Sequence, residues 1–224
     1  MSYKLAIFDF DGTLADTFDW FMGVVNQMAD RHRFRRIEPH EVETLRGYEA
    51  RRLIQHLEVP MWKMPLVARD MRTRMAAEIG AIALFPGVDA MLERLAERGV
   101  ALAVVTSNSA ENVRRVLGPR NAALIRHLEC GAAILGKGPK LRRVLRAAGV
   151  APAEAICIGD EIRDLHAARA EGIPFGAVTW GFTHGEALRA LGPDAVFERV
   201  EEIADGVAPA AEGSVSPGGS SPRR

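Results

Sequence analysis

Two aspartates lie two positions apart in the segment Phe8-Asp9-Phe10-Asp11-Gly12, directly after the apolar run Leu5–Phe8. With this spacing, one short segment can supply both the nucleophile and the acid/base that a phosphoryl-transfer enzyme requires. The apolar run is typical of a buried strand that ends in a turn at Gly12. Two carboxylates at the mouth of such a strand repel each other, and a divalent cation with oxygen ligands would remove that repulsion. An Asp-Gly pair is also common in ordinary surface turns, so the segment alone leaves both interpretations open.

The charge balance and the cysteines restrict the class of protein. The chain has 224 residues, with 29 basic and 29 acidic side chains and a formal net charge of zero. A neutral chain gives no electrostatic reason to expect nucleic acid or an anionic membrane as a partner. No apolar run reaches the roughly 18 residues needed to span a bilayer, and Met1 leads almost directly into the first strand. We therefore expect a cytoplasmic protein, with Cys130 and Cys157 as free thiols.

The spacing of apolar residues separates a helical insertion from an α/β core. Residues 16–82 show helical spacing without a convincing strand. From Pro86 onward, helical segments alternate with apolar strands that lack polar alternation, as in a parallel sheet buried on both faces. The predicted strands cover residues 5–8, 100–105, 132–135, 155–158, 175–179 and 195–197. We expect a Rossmann-like α/β core at 1–15 and 83–208, an inserted α-helical cap at 16–82, and a disordered Pro-, Gly- and Ser-rich tail at 209–224.

Polar side chains follow three of these strands. Asp9 and Asp11 follow the first, Thr106-Ser107-Asn108 follows 100–105, and Asp160 follows 155–158 with Asp164 one helical turn later. Ligands of an open parallel sheet collect outside the carboxyl ends of its strands, so we expect these groups to lie together. Taken singly, the hydroxyls could cap a helix and the later acids could be favoured at a helix start. Their joint placement favours a functional site.

The motifs resemble those of a known family. They are Asp-Phe-Asp-Gly-Thr-Leu at 9–14, Val-Val-Thr-Ser-Asn at 104–108 and Ile-Gly-Asp-Glu-Ile-Arg-Asp at 158–164. On these motifs the chain resembles the haloacid dehalogenase superfamily of phosphohydrolases, in the subgroup with a helical cap inserted after the first strand. The resemblance covers about residues 3–205 and is greatest to phosphoglycolate phosphatases. The segment Phe85–Val88 is similar to the family's return from cap to core.

The resemblance implies a role for each acid. Asp9 would attack phosphorus and become a transient aspartyl phosphate, while Asp11 would protonate the leaving alkoxide and then activate water. Thr106 would donate a hydrogen bond to a phosphoryl oxygen. The cofactor Mg²⁺ would be held by Asp9, the backbone carbonyl of Asp11 and Asp160, with Asp164 supporting from nearby.

Several further residues are candidate substrate contacts. Lysine is rare in this chain, and either Lys137 or Lys140 could bind the phosphoryl group. We favour Lys137, because its distance to Gly149 fits the family better and because Lys140 falls at a helix N-terminus. Arg46, Arg51 and Arg52 could bind a substrate anion bidentately, or could form a solvated basic helix face. The predicted substrate-binding residues are Gly12, Thr13, Arg51, Ser107 and Asn108.

The expected function is therefore Mg²⁺-dependent hydrolysis of a small phosphorylated metabolite, with 2-phosphoglycolate as the candidate, by a monomer or homodimer. A sugar phosphomutase built on the same core is an alternative. A non-enzymatic phosphoreceiver-like or binding protein is another, although a receiver domain would be much shorter and would lack the helical insertion. Trp180-Gly181-Phe182 follows a strand and could border the site, but packing is the preferred explanation.

Overall fold

Apolar runs form a six-stranded parallel sheet in the computed structural model, which describes residues 2–131 and 136–209. The sheet order is β5-β4-β1-β6-β7-β8, and every neighbouring pair is parallel. Two further short strands, β2 and β3, pair antiparallel outside this sheet. The strands are β1 Leu5–Phe8, β2 Ala15–Asp16, β3 Ala83–Leu84, β4 Ala101–Val105, β5 Ile125–Glu129, β6 Ala155–Gly159, β7 Phe175–Val178 and β8 Ala195–Phe197.

Within the described residues, ten helices surround the strands. Four of them lie between β2 and β3, and six alternate with the later strands. Short 3-10 turns precede or follow several of them. The helices are α1 Phe18–His32, α2 Val42–Leu45, α3 Ala50–His56, α4 Met64–Ala77, α5 Val88–Glu97, α6 Ala110–Leu124, α7 Gly138–Ala148, α8 Ile162–Ala170, α9 Gly185–Ala190 and α10 Val200–Val207.

The central strand β1 is buried on both faces. Its residues alternate, so that Ala6 and Phe8 join one apolar cluster with residues of α5 and α10. Leu5 and Ile7 join a second cluster with residues of α7 and α8. This two-sided burial explains why the strand has no polar alternation in sequence. The predicted α/β class with a parallel sheet is confirmed.

The inserted helices α1–α4 form the cap, which contains an apolar cluster of its own. Val25, Ile37, Leu45 and Leu57 are buried at its centre. The antiparallel pairing of β2 with β3 brings the two ends of the insertion together, so that the cap leaves and rejoins the core at one place. The predicted helical cap is confirmed.

Three details differ from the sequence-based expectation. The edge strand β5, Ile125–Glu129, was not predicted, because its Arg, His and Glu interrupt the apolar run. The sequence predicts a helix over residues 109–117, whereas α6 breaks at Gly118 and then continues to Leu124. Helices α9 and α10 were not predicted either. The predicted strand 132–135 and residues 210–224 of the predicted tail lie outside the described residues.

The cysteines and the helix lengths complete the description. Both cysteines are free thiols, with Cys157 buried in β6 and Cys130 only half-buried. Within residues 2–131 and 136–209, none of the helices combines the length and apolar character that crossing a bilayer requires.

The packing of Phe197 gives a test of the core. A Cβ atom at Gly176 of β7 would lie 2.6 Å from the Phe197 ring. We expect Gly176→Ala to lower the free energy of unfolding by about 1–3 kcal/mol, because the added methyl has no space. Gly23→Ala in α1, where a Cβ would have nothing within 4 Å, is the matched control. It should raise the free energy of unfolding by about 0.5–1 kcal/mol, because alanine favours the helix. Urea unfolding measures both, and a Gly176→Ala protein as stable as the wild type would contradict this packing.

Candidate active site

The sheet order brings the ends of three strands together. β1 lies between β4 and β6, with Phe8 in register with Val104 on one side and Ile158 on the other. All three strands run in the same direction, so the residues that follow them emerge at one edge. This edge carries Asp9 and Asp11 after β1, Thr106 after β4 and Asp160 after β6.

A group of three buried carboxylates forms the centre of this edge. Asp9, Asp160 and Asp164 each offer an oxygen, and these oxygens all lie within 4.8 Å of one another. The three residues are 5, 0 and 1% exposed, respectively. Such close and buried carboxylates are unfavourable unless a positive charge compensates for them.

Lys137 provides part of that charge. Its Nζ lies 2.8 Å from Oδ2 of Asp9 and 2.7 Å from Oδ1 of Asp164. Although burial alone would lower the pKa of Lys137, the charges of Asp164 and Asp9 raise it above the usual value. The lysine therefore stays charged. The structure brings Lys137, the favoured candidate, to the acids.

The positive charge of Lys137 does not compensate for both of the carboxylates that it contacts. Burial acts to raise the pKa of Asp9, but Lys137 and Arg163 outweigh it and keep that pKa below the usual value. For Asp164, burial prevails over Lys137, and the pKa is raised well above the usual value. Asp9 is thus held as the anion, while Asp164 takes up a proton more readily unless a further cation is bound.

Asp160 is fixed by the loop after β7 and by the turn after β1. Its Oδ1 accepts a hydrogen bond from Oγ1 of Thr13 at 2.7 Å, and its Oδ2 accepts one from the backbone N–H of Phe182 at 2.8 Å. Burial, together with the charges of Glu161 and Asp9, raises the pKa of Asp160 to about 8 despite these two bonds. The hydroxyl of Thr13, predicted to bind substrate, is therefore used to orient this carboxylate.

Two glycines leave the space that Asp160 occupies. Gly12 has a φ of +77°, a backbone conformation that other residues rarely adopt. A Cβ at Gly12 or at Gly181 would collide with the side chain of Asp160. The segment Trp180-Gly181-Phe182 therefore borders the acid cluster, and its two aromatic rings also pack against other rings, as expected.

Asp11 has different surroundings. Nδ2 of Asn108 donates to its two carboxylate oxygens at 3.1 and 3.2 Å, and also approaches Sδ of Met75 in α4 at 3.0 Å. Burial and the neighbouring charge of Asp9 raise the pKa of Asp11 to about 7. A carboxyl group with this pKa is present in both protonation states near neutral pH, as acid/base chemistry requires. Asn108, predicted to bind substrate, thus holds Asp11.

Thr106 is fixed from two sides. Its Oγ1 accepts a hydrogen bond from the backbone N–H of Asn108 at 3.0 Å. Its carbonyl accepts one from Nζ of Lys140 at 2.6 Å, and the same Nζ also donates to the carbonyl of Gly131. Lys140 is 5% exposed. The second lysine of the motif is therefore a buried support for the loop after β4.

The residues at the acid cluster fit a cation with oxygen ligands. Oδ1 of Asp164 pairs with Nζ of Lys137, but Oδ2 has no hydrogen-bond partner among the described residues. A buried oxygen without a partner is costly, and a metal ion would satisfy it. The available ligands are carboxylate oxygens. Hard divalent cations bind such oxygens well, whereas softer metals favour sulfur or nitrogen ligands. The carboxylate of Asp11 is not part of this group, and the expectation that Asp11 offers its backbone carbonyl to the metal stays a prediction.

A cavity of about 390 Å³ connects this cluster with the cap. Asp9, Asp11, Ser107 and Asn108 line it at the core, and side chains of α1, α3 and α4 line it in the cap. Ser107 is exposed at the mouth.

The three cap arginines of the sequence analysis have separate environments. Arg46 lines the cavity but donates to the carbonyls of Gly181 and Phe182, at 3.0 and 3.2 Å. Arg52 stacks on Tyr48 at 3.8 Å. Arg51 is exposed and is not among the described residues that line the cavity. Its predicted contact with substrate stays a prediction.

Sequence reasoning missed Arg163 and the role of Lys140. Arg163 lies between two motif acids, pairs with Glu161, lines the cavity and lowers the pKa of Asp9. The motif at 158–164 contained it, but an arginine two residues after a glutamate gives no signal of its own. The rarity of lysine in the chain was the available signal for Lys140.

Comparisons with known proteins agree with this geometry. A family model described as haloacid dehalogenase-like hydrolase matches residues 6–178. A phosphoglycolate phosphatase of Synechococcus elongatus is 30% identical over 202 residues, which cover 90% of this chain and 95% of the relative. A phosphoglycolate phosphatase of Xanthomonas campestris is 29% identical over 195 residues, which cover 82% of this chain and 86% of the relative.

Solved structures support the fold. A haloacid dehalogenase-like hydrolase from Streptococcus pneumoniae superposes with a TM-score of 0.74 at 20% identity, covering 90% of this chain and 96% of its own. CbbY from Rhodobacter sphaeroides, solved in complex with phosphate, superposes with a TM-score of 0.69 at 23% identity. The match covers 90% of this chain and 96% of CbbY. Together with the buried aspartates, these matches show an enzyme of the phosphoglycolate phosphatase-like type. The chain belongs to the haloacid dehalogenase-like hydrolase family, as its motifs predicted.

Proposed function

We propose that the protein is a Mg²⁺-dependent phosphatase that hydrolyses a small phosphomonoester through an aspartyl phosphate on Asp9. The observation that carries this proposal is the group of Asp9, Asp160 and Asp164 around Lys137, buried at one end of a cavity. The relatives are named phosphoglycolate phosphatases, so 2-phosphoglycolate is the reference substrate for an assay.

The proposed metal would be held by Asp9, Asp160 and the backbone carbonyl of Asp11, with Asp164 supporting them from nearby. Mg²⁺ suits this set, because it binds one or two carboxylates together with the phosphate oxygens of a substrate. Bound there, it would offset the negative charge that gathers as a phosphate dianion approaches the carboxylates.

Asp9 and Asp11 divide the chemistry between them. A carboxylate oxygen of Asp9 forms a bond to phosphorus while the P–O bond to the alcohol breaks, and Asp11 gives its proton to the leaving oxygen. Asp11, now ionised, takes a proton from water as that water attacks phosphorus. The P–O bond to Asp9 breaks, which releases inorganic phosphate and restores both carboxyl groups. The low pKa of Asp9 and the raised pKa of Asp11 support this assignment.

The phosphoryl oxygens need donors as well. The hydroxyl of Thr106 accepts from Asn108 and still has its own proton to donate. Lys137 can contribute its charge to an equatorial oxygen. Ser107, exposed at the mouth of the cavity, and Gly12, in the turn after Asp11, are further proposed contacts.

The assay distinguishes this reaction from the alternative on the same core. A sugar phosphomutase would return an isomeric sugar phosphate and no inorganic phosphate. A receiver-like protein would neither isomerise a sugar phosphate nor release inorganic phosphate from one with turnover. The relatives' names favour hydrolysis.

The cap is proposed to act as a domain of its own, with boundaries near residues 15/16 and 82/83. Its hinges would lie at Ala15–Asp16 and Leu84–Gly87, where β2 pairs with β3. Closure over bound substrate would exclude water from the acids. Limited proteolysis tests this, because a bound phosphate analogue should protect both hinges, and unchanged cleavage would count against closure. The expected cytoplasmic location and the monomeric or homodimeric state stay predictions.

Replacing the two acids should separate the two halves of the reaction. We expect Asp9→Asn to reduce phosphate release by about 1,000-fold or more, because the nucleophile is lost. Asp11→Asn should lose about 10²–10⁴-fold with an alkyl phosphate, because the leaving alkoxide needs a proton. With 4-nitrophenyl phosphate, whose leaving group needs none, Asp11→Asn should release a burst of about one nitrophenolate per enzyme.

Mass spectrometry should then find the trapped phosphoryl group on Asp9. The control is Asp205→Asn, at an exposed ion pair with Arg94 and Arg98, which should behave as the wild type. A fully active Asp9→Asn protein would refute the mechanism.

Metal binding can be measured without turnover. Mg²⁺ at about 100 times its dissociation constant should raise the Tm of the wild type by about 5–10 °C, because it binds only the folded state. EDTA should abolish both this shift and the activity. Asp160→Asn should lose most of the shift, whereas Asp205→Asn should retain it. A full shift in Asp160→Asn would place the metal elsewhere.

A further inference from the structure

The cavity above the acids extends well beyond the space that a phosphoryl group needs. It runs without interruption from Asp9 and Asp11 into the interior of the cap, with a volume of about 390 Å³. Small-molecule sites typically measure roughly 300–1,000 Å³. An apolar cavity of about 150 Å³ already holds a benzene ring. The cavity can therefore hold a phosphoryl group and a substantial organic body.

Apolar side chains dominate the part of the cavity in the cap. They come from three helices that face one another, α1, α3 and α4. Representative members are Phe21, Val25, Leu53, Met64, Ala68 and Met71. A carboxylate in such surroundings would lose its hydration without gaining a partner.

The basic groups that line the cavity are already engaged by other contacts. Within the described part of the chain, the basic side chains in the lining are Arg46, Arg72 and Arg163. Arg46 bonds two backbone carbonyls of the core and Arg163 pairs with Glu161. Arg72 approaches the carbonyl of Ser107 at 3.5 Å. Negative charge on a substrate is thus best accommodated at the phosphoryl end.

One polar group inside the lining also indicates a ligand. Thr17, at the start of α1, is 2% exposed, and its Oγ1 has no hydrogen-bond partner among the described residues. Buried hydroxyls in proteins are nearly always bonded. A polar atom of a bound molecule, such as the ester oxygen, would supply the missing partner.

We propose that the preferred substrate is a phosphomonoester whose alcohol carries an apolar alkyl or aryl body, which occupies the cap cavity. This inference rests on the proposed phosphatase function and names its substrate class. It departs from 2-phosphoglycolate, whose second anionic group would face the apolar lining. The phosphoryl group lies at Asp9 and Lys137, and the organic body points toward α1 and α4.

A series of n-alkyl phosphates tests the proposal, because their leaving groups have nearly equal basicity and differ in apolar length. In the wild type, kcat/KM should rise about fourfold per methylene from ethyl to hexyl phosphate, the gain expected when each methylene is buried. Hexyl phosphate should also exceed 2-phosphoglycolate. The matching n-alkylphosphonates, which are not hydrolysed, should inhibit more tightly with the same dependence on length.

Two substitutions in α4 test whether the alkyl chain binds in the cap cavity. Ala68→Leu adds volume at the cavity lining and should flatten the dependence on chain length in both kcat/KM and inhibition. Ala77→Leu makes the same change at an exposed position of α4 outside the described lining and should leave that dependence unchanged.

The outcomes separate the two proposals. Equal kcat/KM for all alkyl phosphates, or a preference for 2-phosphoglycolate over hexyl phosphate, would overturn the substrate class while leaving the phosphatase function intact. An unchanged chain-length dependence in Ala68→Leu would overturn the assigned cavity. Release of phosphate from none of these substrates would refute the proposed function, and this inference with it.

Discussion

Three buried carboxylates lie together at the end of the central strands, and the local structure is organised around that excess of negative charge. Lys137 contacts two of them, and Thr13 and the backbone of Phe182 donate to the third. Close carboxylates in a low-dielectric site are unfavourable without such compensation. The donors are therefore part of the site, since they stabilise the group before any ligand arrives. The stability of the fold is partly given up for chemistry at this point.

The cap is attached to the same loop that holds Asp160. Arg46 donates to the carbonyls of Gly181 and Phe182, and the ring of Phe182 packs edge-on against Phe18 and Phe21 of α1. The N–H of Phe182 meanwhile donates to Asp160. One loop therefore contacts the cap with its carbonyls and ring, and the acid cluster with its amide. Arg46, one of the three candidate substrate contacts of the sequence analysis, thus joins the two parts of the molecule.

The sequence predicted those features that depend on the order of strands and missed those that depend on packing. The apolar runs of β1, β4 and β6 and the acids after them follow from burial on both faces of a parallel sheet. Strand β5 was missed because it lies at the sheet edge, where Arg126 and Glu129 are tolerated. The positions of Arg46 and Lys140, and the shape of the cap cavity, depend on contacts between residues distant in sequence. No local pattern encodes such contacts.

The side-chain amide of Asn108 connects the acid Asp11 with the cap. Its Nδ2 group holds both oxygens of Asp11 and also touches Met75 of the cap helix α4. Movement of α4 away from the core would remove one neighbour of this amide and loosen its hold on Asp11. In the proposed mechanism, in which Asp11 transfers the proton and the cap closes, the orientation of this carboxyl group would depend on the position of α4. Closure would then hold the proton donor in place while water is excluded from the site.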